Sequence, residues 1–393
     1  MMKVILALLW SGVTGAALGL PVSQQGQPVR VPAPSTVPSA AAAPMASVPG
    51  SATPGFVVHQ GTQLYLDGSP WRFTGVNAYE LATSWGINAG CGDMVSDVQM
   101  DSLFASLRPG SAVRFWAFQG LATNYTTKQR DWRPIDRVVQ AAARHGQKLI
   151  MVLSGQGGGC DDGHWKDAAW FNGGYRQAFD DDGKDMAPAS YWTYLHEIAA
   201  RYSTSTTVAM WELVSESEAM PSPSGPCNQV AARKALRSFF DTVGGELHRI
   251  DPNHLIGSGV LGSGQCGTAG TDYQYVHESP GVDVASYHDY GADTVAVPGD
   301  RWNGLQVRLN EMSAIGKPLV VGEVGMKAQQ NLAGCMAPSD RSAHIRAKMT
   351  GQFSAGVSGF LLWDWMPSNG GGCVYEDITA ADPLLGLIRN YQT

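Results

Sequence analysis

Glu216 and Glu323 are the residues of this chain best placed to do chemistry. Glu216 closes the run Trp211-Glu212-Leu213-Val214-Ser215-Glu216, and Glu323 sits in Val320-Val321-Gly322-Glu323-Val324-Gly325. Each follows a short apolar run of the kind that forms a buried strand, at the point where such a strand would end. Two acids at the ends of two parallel strands can divide one task. One donates a proton to a departing oxygen, and the other attacks the carbon that the oxygen leaves. Retaining cleavage of a glycosidic bond requires such a pair, with the carboxyl groups about 5 Å apart.

The other candidates are found at equivalent strand ends: Asn77 and Tyr79, Arg114 and Trp116, Ser215, His288 and Tyr290, Trp363 and Trp365. Aromatic platforms beside hydrogen-bonding groups suit sugars, which present hydroxyls at the rim and apolar C–H faces. Glu216 is expected as the proton donor and later base, with its pKa raised by burial beside aromatics and a second carboxylate. Glu323 is expected as the nucleophile, kept ionised by Arg114 and Tyr290. His288 and Tyr290 alternate onto one strand face, either toward substrate or as packed core residues. Arg114, inside an apolar strand, needs a carboxylate partner; Glu323 is the natural one, and a structural ion pair elsewhere is the alternative. Trp363 reads equally as a sugar-stacking ring or as core.

The elements that must position these residues alternate along the chain. Strands are predicted at Phe73–Asn77, Ala112–Phe118, Lys148–Ser154, Val208–Glu216, His254–Leu261, Val282–Tyr290, Pro318–Gly325 and Gly356–Trp365. Helices are predicted at Ile135–His145, Tyr191–Tyr202, Ala231–Ile250, Asn303–Ile315 and Arg341–Phe353. Eight strand–helix repeats favour an α/β fold of the (β/α)8 TIM-barrel kind over an open doubly wound sheet, whose GxGxxG after the first strand is missing. The segment Leu64–Pro70 reads as a hairpin closing the barrel floor.

Residues 1–19 read as a signal peptide, with Lys3 ahead of a short apolar stretch and small residues after it. Residues 20–55 form a Pro/Ala/Ser-rich tether that cannot fold alone, and 56–393 form one catalytic domain. A secreted, extracellular monomer is expected, with no membrane association after signal cleavage. A net charge of −7 disfavours nucleic acid and anionic membranes as partners, while a neutral polysaccharide or oligosaccharide meets no such objection. All six cysteines lie downstream of the signal, which suggests disulfides, with Cys227–Cys266 and Cys335–Cys373 preferred; zinc would be the alternative, but no CxxC occurs. No cofactor or metal is called for. Gln156-Gly157-Gly158-Gly159 lacks the Lys-Ser/Thr of a phosphate loop, GxSxG is missing, and Asp180-Asp181-Asp182 reads as a solvated loop.

These residues resemble glycoside hydrolase family 5, a (β/α)8 family of retaining β-glycanases, from about Phe56 to the C-terminus. The family's Trp-Glu-Leu-x-Asn-Glu-Pro is similar to Trp211–Ser217, which implies the acid/base role for Glu216. Its Gly-Glu-x-Gly is similar to Gly322–Gly325, which implies that Glu323 is the nucleophile. His288 and Tyr290, Arg114, and Trp363 match its His-x-Tyr pair, second-strand arginine and last-strand tryptophan. Arg114-Phe115-Trp116-Ala117-Phe118 and the stretch Gly68–Tyr79 are most similar to the mannanase branch, and some cellulase-type members share them. The resemblance therefore implies an endo-β-1,4-mannanase or endo-β-1,4-glucanase acting by double displacement. Ser215 departs from the pattern, standing where the family has an asparagine that meets the sugar 2-hydroxyl. Slower turnover, an unusual sugar or a barrel that only binds carbohydrate are the alternatives this leaves open, and a transglycosylase that passes the glycosyl intermediate to another sugar is a separate one.

Overall fold

The computed structural model describes residues 53–179, 186–328, 335–368 and 376–391. The expected signal peptide, nearly all of the tether, Asp180–Asp182 and Cys373 lie outside the described residues. Three short antiparallel strands come first: β1 (Val57–Gln60), β2 (Gln63–Leu66) and β3 (Ser69–Pro70). Asp67 and Gly68 make the β2–β3 turn with φ of 51° and 75°, the positive values that a tight two-residue hairpin needs. Val57, Leu64 and Trp71 pack with Phe73, Ala112, Ile150, Met210 and Leu361 of the barrel interior, so this unit plugs the floor as expected. Strand β1 extends the hairpin that the sequence suggested.

The barrel strands are β4 (Phe73–Asn77), β5 (Ala112–Trp116), β6 (Lys148–Val152), β7 (Val208–Glu212), β8 (Leu255–Gly257), β9 (Ala285–Asp289), β10 (Leu319–Gly325) and β11 (Gly359–Trp363). They pair in parallel in the order β8-β7-β6-β5-β4-β11-β10-β9. A parallel bridge between Gly257 and Val284 and the Ser258 N–H···O=C Val284 bond (3.0 Å) close the ring. All eight predicted strands are present, but most end two to four residues early. The residues past the ends leave the ladder to build the rim, where barrel sites are assembled.

Helices cover the outside. Arg133–His145 starts with Pro134 in its first turn and ends on Gly146 in the left-handed region. The long helix expected over Ala231–Ile250 is Gln229–Phe239, a π-helical turn Phe240–Gly244 and Gly245–Ile250. The helix Asp97–Ser106, whose weak amphipathic pattern concealed it, is held by a Ser96/Gln99 capping box.

Cysteine pairing follows the sequence reading in part. Cys227–Cys266 joins the loops after β7 and β8 as expected, and Cys91–Cys160, which spacing did not single out, joins those after β4 and β6. Cys335 is disulfide-bonded too, while Cys373, its expected partner, lies outside the described residues. The zinc alternative is set aside, because every described cysteine is in a disulfide.

Candidate active site

Two local distortions aim the acids. Along β10, strict alternation would turn Val320 and Gly322 inward and Glu323 outward. The pairing of β10 with both neighbours slips by one residue here: Val321 pairs with Tyr287 but Glu323 with His288, and Val321 pairs with Phe360 but Val324 with Leu362. This β-bulge turns Glu323 into the barrel. Gly322 permits it, since a Cβ there would stand 3.1 Å from Ser286 Oγ and 3.2 Å from His288 Nε2. Glu216 sits past the end of β7 with φ of 58°, an uncommon value for a residue with a Cβ, and its N–H is fixed to Gly259 O at 2.7 Å.

Arg114 is the hub of the charge network. Its Nη1 donates to Glu323 Oε1 (2.7 Å) and Asn77 Oδ1 (2.8 Å), and its Nη2 to Ser215 Oγ (2.8 Å). Glu212 receives a two-pronged bond from Nε (2.9 Å) and Nη2 (2.6 Å). Burial opposes the guanidinium charge, but Glu212 and Glu323 more than offset it and its pKa rises. The expected Arg114–Glu323 pair is therefore present, and Glu212 is a second partner that the sequence reading missed. The signal was available: a glutamate inside an apolar strand needs a buried cation just as an arginine needs an anion. Asn77, one of the strand-end candidates, also donates Nδ2–H to Gly322 O at 2.8 Å and so steadies the bulge.

Tyr290 donates its hydroxyl to Glu323 Oε2 at 2.5 Å, and burial and the Glu323 charge push its pKa well above the usual phenol range, so it stays a donor. His288 Nδ1–H donates to Glu216 Oε1 (2.9 Å) and stands 3.5 Å from Glu323 Oε2. Burial lowers the imidazole pKa, but Glu323 and Glu216 outweigh it and the result is a raised value. The two acids differ in setting. The Glu323 side chain is 5% exposed and that of Glu216 40%, so Glu216 opens onto the groove.

Their titration differs from expectation. Burial raises Glu216, but the bond and charge of His288, with Arg114, bring it below its ordinary value. Burial pushes Glu323 up, against the pull of His288 and Arg114. The expected raised donor is thus absent from the free site, because His288 occupies the acid that the sequence assigned to proton donation.

On the opposite side of Glu323, Tyr79 lies between Trp116 (ring centroids 4.5 Å apart) and Trp363 (5.7 Å, 9° between planes). All three rings are partly exposed, which makes a rim platform out of residues whose periodicity also allowed core packing. Glu216, His288 and Glu323 also bring ligand-type atoms within 4.8 Å of one another. A cation there would have to displace Arg114 and Tyr290 from Glu323 and His288 from Glu216. The site is built as a carboxylate pair balanced by a guanidinium.

No family model matches the chain. Mannan endo-1,4-beta-mannosidase 8 of Oryza sativa subsp. japonica is 27% identical over 350 residues, covering 78% of this chain and 90% of the relative. The endo-1,4-beta-mannanase structure from Rhizomucor miehei aligns with a TM-score of 0.61 at 17% identity, covering 85% of this chain and 97% of that one. A glycoside hydrolase family 5 mannosidase from the same organism aligns with a TM-score of 0.57 at 14% identity, over 86% and 96% of the two chains. At such identities the structural likeness is one of fold, a (β/α)8 barrel like that of family 5 mannanases. By its sequence relatives the chain is a glycoside hydrolase.

Proposed function

We propose that the protein is a secreted, retaining endo-β-1,4-mannanase. Glu323 attacks the anomeric carbon: a bond forms from its carboxylate oxygen to C1 as the bond from C1 to the departing sugar breaks. Glu216 gives that oxygen its proton. It then takes a proton from water, which attacks C1 and frees Glu323. Arg114 and Tyr290 hold the nucleophile, and Trp363 and Trp116 give the sugar its apolar wall.

The observation that carries this reading is the spacing of the acids, with an oxygen of Glu216 and one of Glu323 within 4.8 Å. That suits direct attack; inversion leaves about 6.5–9.5 Å between carboxyl groups for a water. Mannan is favoured among β-glycans because the sequence relatives are named for it. Ser215 supports turnover over binding alone: its Oγ accepts from Arg114, so its own proton is free for the sugar 2-hydroxyl. Secretion is supported by the signal-like N-terminus and the disulfides, and among the described residues no helix is long and apolar enough to cross a membrane.

The test pairs a polysaccharide panel (mannan, glucomannan, cellulose, mixed-linkage glucan) with Glu216→Ala and Glu323→Ala. Mannan should be cut fastest, and both variants should lose nearly all activity. With an activated aryl β-mannoside and azide, the Glu216 variant should yield β-mannosyl azide and the Glu323 variant the α form. Parent-like rates in either variant would contradict the assignment.

A further inference from the structure

Glu218 is a carboxylate that the reaction above does not use. It lies two residues beyond Glu216, half-buried. Three loops fix it. Its N–H donates to Gln156 Oε1 at 2.9 Å, from the loop after β6. Its carboxylate accepts the backbone N–H of Cys266, from the loop after β8, and the Cys227–Cys266 disulfide anchors that loop. Next to it, Trp165 donates Nε1–H to Met220 O at 2.8 Å. Burial, together with the nearby charge of Glu216, raises its pKa from the ordinary value.

Its place defines its side of the groove. On the double-displacement reading, the sugar that becomes bonded to Glu323 meets the platform of Tyr79, just after β4, Trp116 of β5 and Trp363 of β11. The leaving sugar must lie where Glu216 can reach its oxygen, along the rim of β7 and β8, and Glu218 stands there. A carboxylate has about four acceptor positions. Cys266 uses one, and no basic side chain is hydrogen-bonded or ion-paired to Glu218 among the described contacts.

Resting on the double-displacement reading, we infer that Glu218 determines specificity for the leaving sugar: it accepts hydrogen bonds from hydroxyls of a neutral hexose and rejects sugars that carry a carboxylate. Above its pKa the acceptor is charged, and the hydroxyl bonds are then strong. An anionic sugar in the same place would face Glu218 and Glu216 together, in a setting partly shielded from water.

The experiment compares Glu218→Gln with the parent on mannotetraose, whose leaving group is a sugar, and on an aryl β-mannobioside, whose leaving group offers no hydroxyls to Glu218. The ratio of kcat/KM for the two substrates should fall about tenfold in the variant, the scale of one lost charge-assisted bond. A ratio within twofold of the parent would overturn the inference, as would equal losses on both substrates, the mark of a structural role. A second measurement needs only the parent. In digests of carboxymethyl mannan, the sugar at the new non-reducing end should be unsubstituted, whereas hydroxyethyl groups of similar size should be accepted there. Equal frequencies of the two groups at that position would overturn it. A parent that does not cut mannan refutes the function itself; a parent that cuts it with unchanged ratios refutes only the role of Glu218.

Discussion

His288 donates its Nδ1 hydrogen to Oε1 of Glu216 across 2.9 Å. The bond couples the groove-facing acid to the buried nucleophile, since the same nitrogen lies 3.5 Å from Glu323 Oε2. In the free site the proton that chemistry needs is drawn toward the imidazole, whose pKa is raised, and away from Glu216, whose pKa is lowered. The three groups titrate as a unit, so the limbs of a pH–rate profile belong to the set and not to single residues.

Replacing His288 by Asn should reverse the direction of the Glu216 shift. Burial, the largest influence on that carboxyl, would then be opposed only by Arg114. Carboxyl carbon NMR should find Glu216 titrating above its ordinary value in the variant and below it in the parent. A lowered value in both would show that His288 is not what holds the acid down.

Arg114→Lys should lower kcat/KM by about a hundredfold, because an ammonium cannot reproduce the planar fork that serves Glu212, Glu323, Asn77 and Ser215 together. Arg114→Met should also cost about 3–5 kcal/mol of stability in denaturant unfolding, since it leaves two buried carboxylates without their cation. A loss of activity without loss of stability would mean that Glu212 finds another partner.

Gly322→Ala tests the bulge. The added methyl would press on Ser286 Oγ at 3.1 Å and His288 Nε2 at 3.2 Å. These atoms can yield by a few tenths of an ångström, so the fold should survive while kcat falls about tenfold through a displaced His288. Melting temperature and kcat measured together check this; unchanged kcat would show that the imidazole position is not critical.

The loop that supports Glu216 carries its own pH dependence. Asp161 accepts from Ser154 Oγ (2.7 Å) inside the fold, and burial, with the nearby Asp162, pushes its pKa up to about 7. A raised carboxyl adds stability that is fully present below the unfolded pKa and lost as pH rises through the folded one. Stability should therefore decline from about pH 4 to about pH 7, by up to about 1.4 kcal/mol per pH unit. Asp161→Asn should flatten that part of the melting-temperature profile; an unchanged slope would place its origin elsewhere.

Much of this was legible from residue order. Apolar runs separated by helical stretches gave eight strands, and strand-end positions brought Arg114, Trp116, Ser215, Glu216, His288, Tyr290, Glu323 and Trp363 to one rim. What escaped the sequence was geometry that breaks the simple periods. Alternation alone points Glu323 outward, and only the extra residue at Gly322 corrects it. Nothing in Ser215-Glu216-Ser217 announces a left-handed backbone at a glutamate. Glu212 does not stand out in the sequence because Glu216, four residues on, has the more evident role. The lowered pKa of Glu216 depends on a contact with a residue 72 positions away, which no local pattern carries.

The most direct test of the central claim is to trap the covalent intermediate. Incubation with a 2-deoxy-2-fluoro-β-mannosyl donor bearing a good leaving group, then proteolysis and mass mapping, should place a single fluoromannosyl label on Glu323. A label on Glu216 would reverse the roles assigned here. No label, with products of inverted anomeric configuration from the natural substrate, would contradict double displacement altogether.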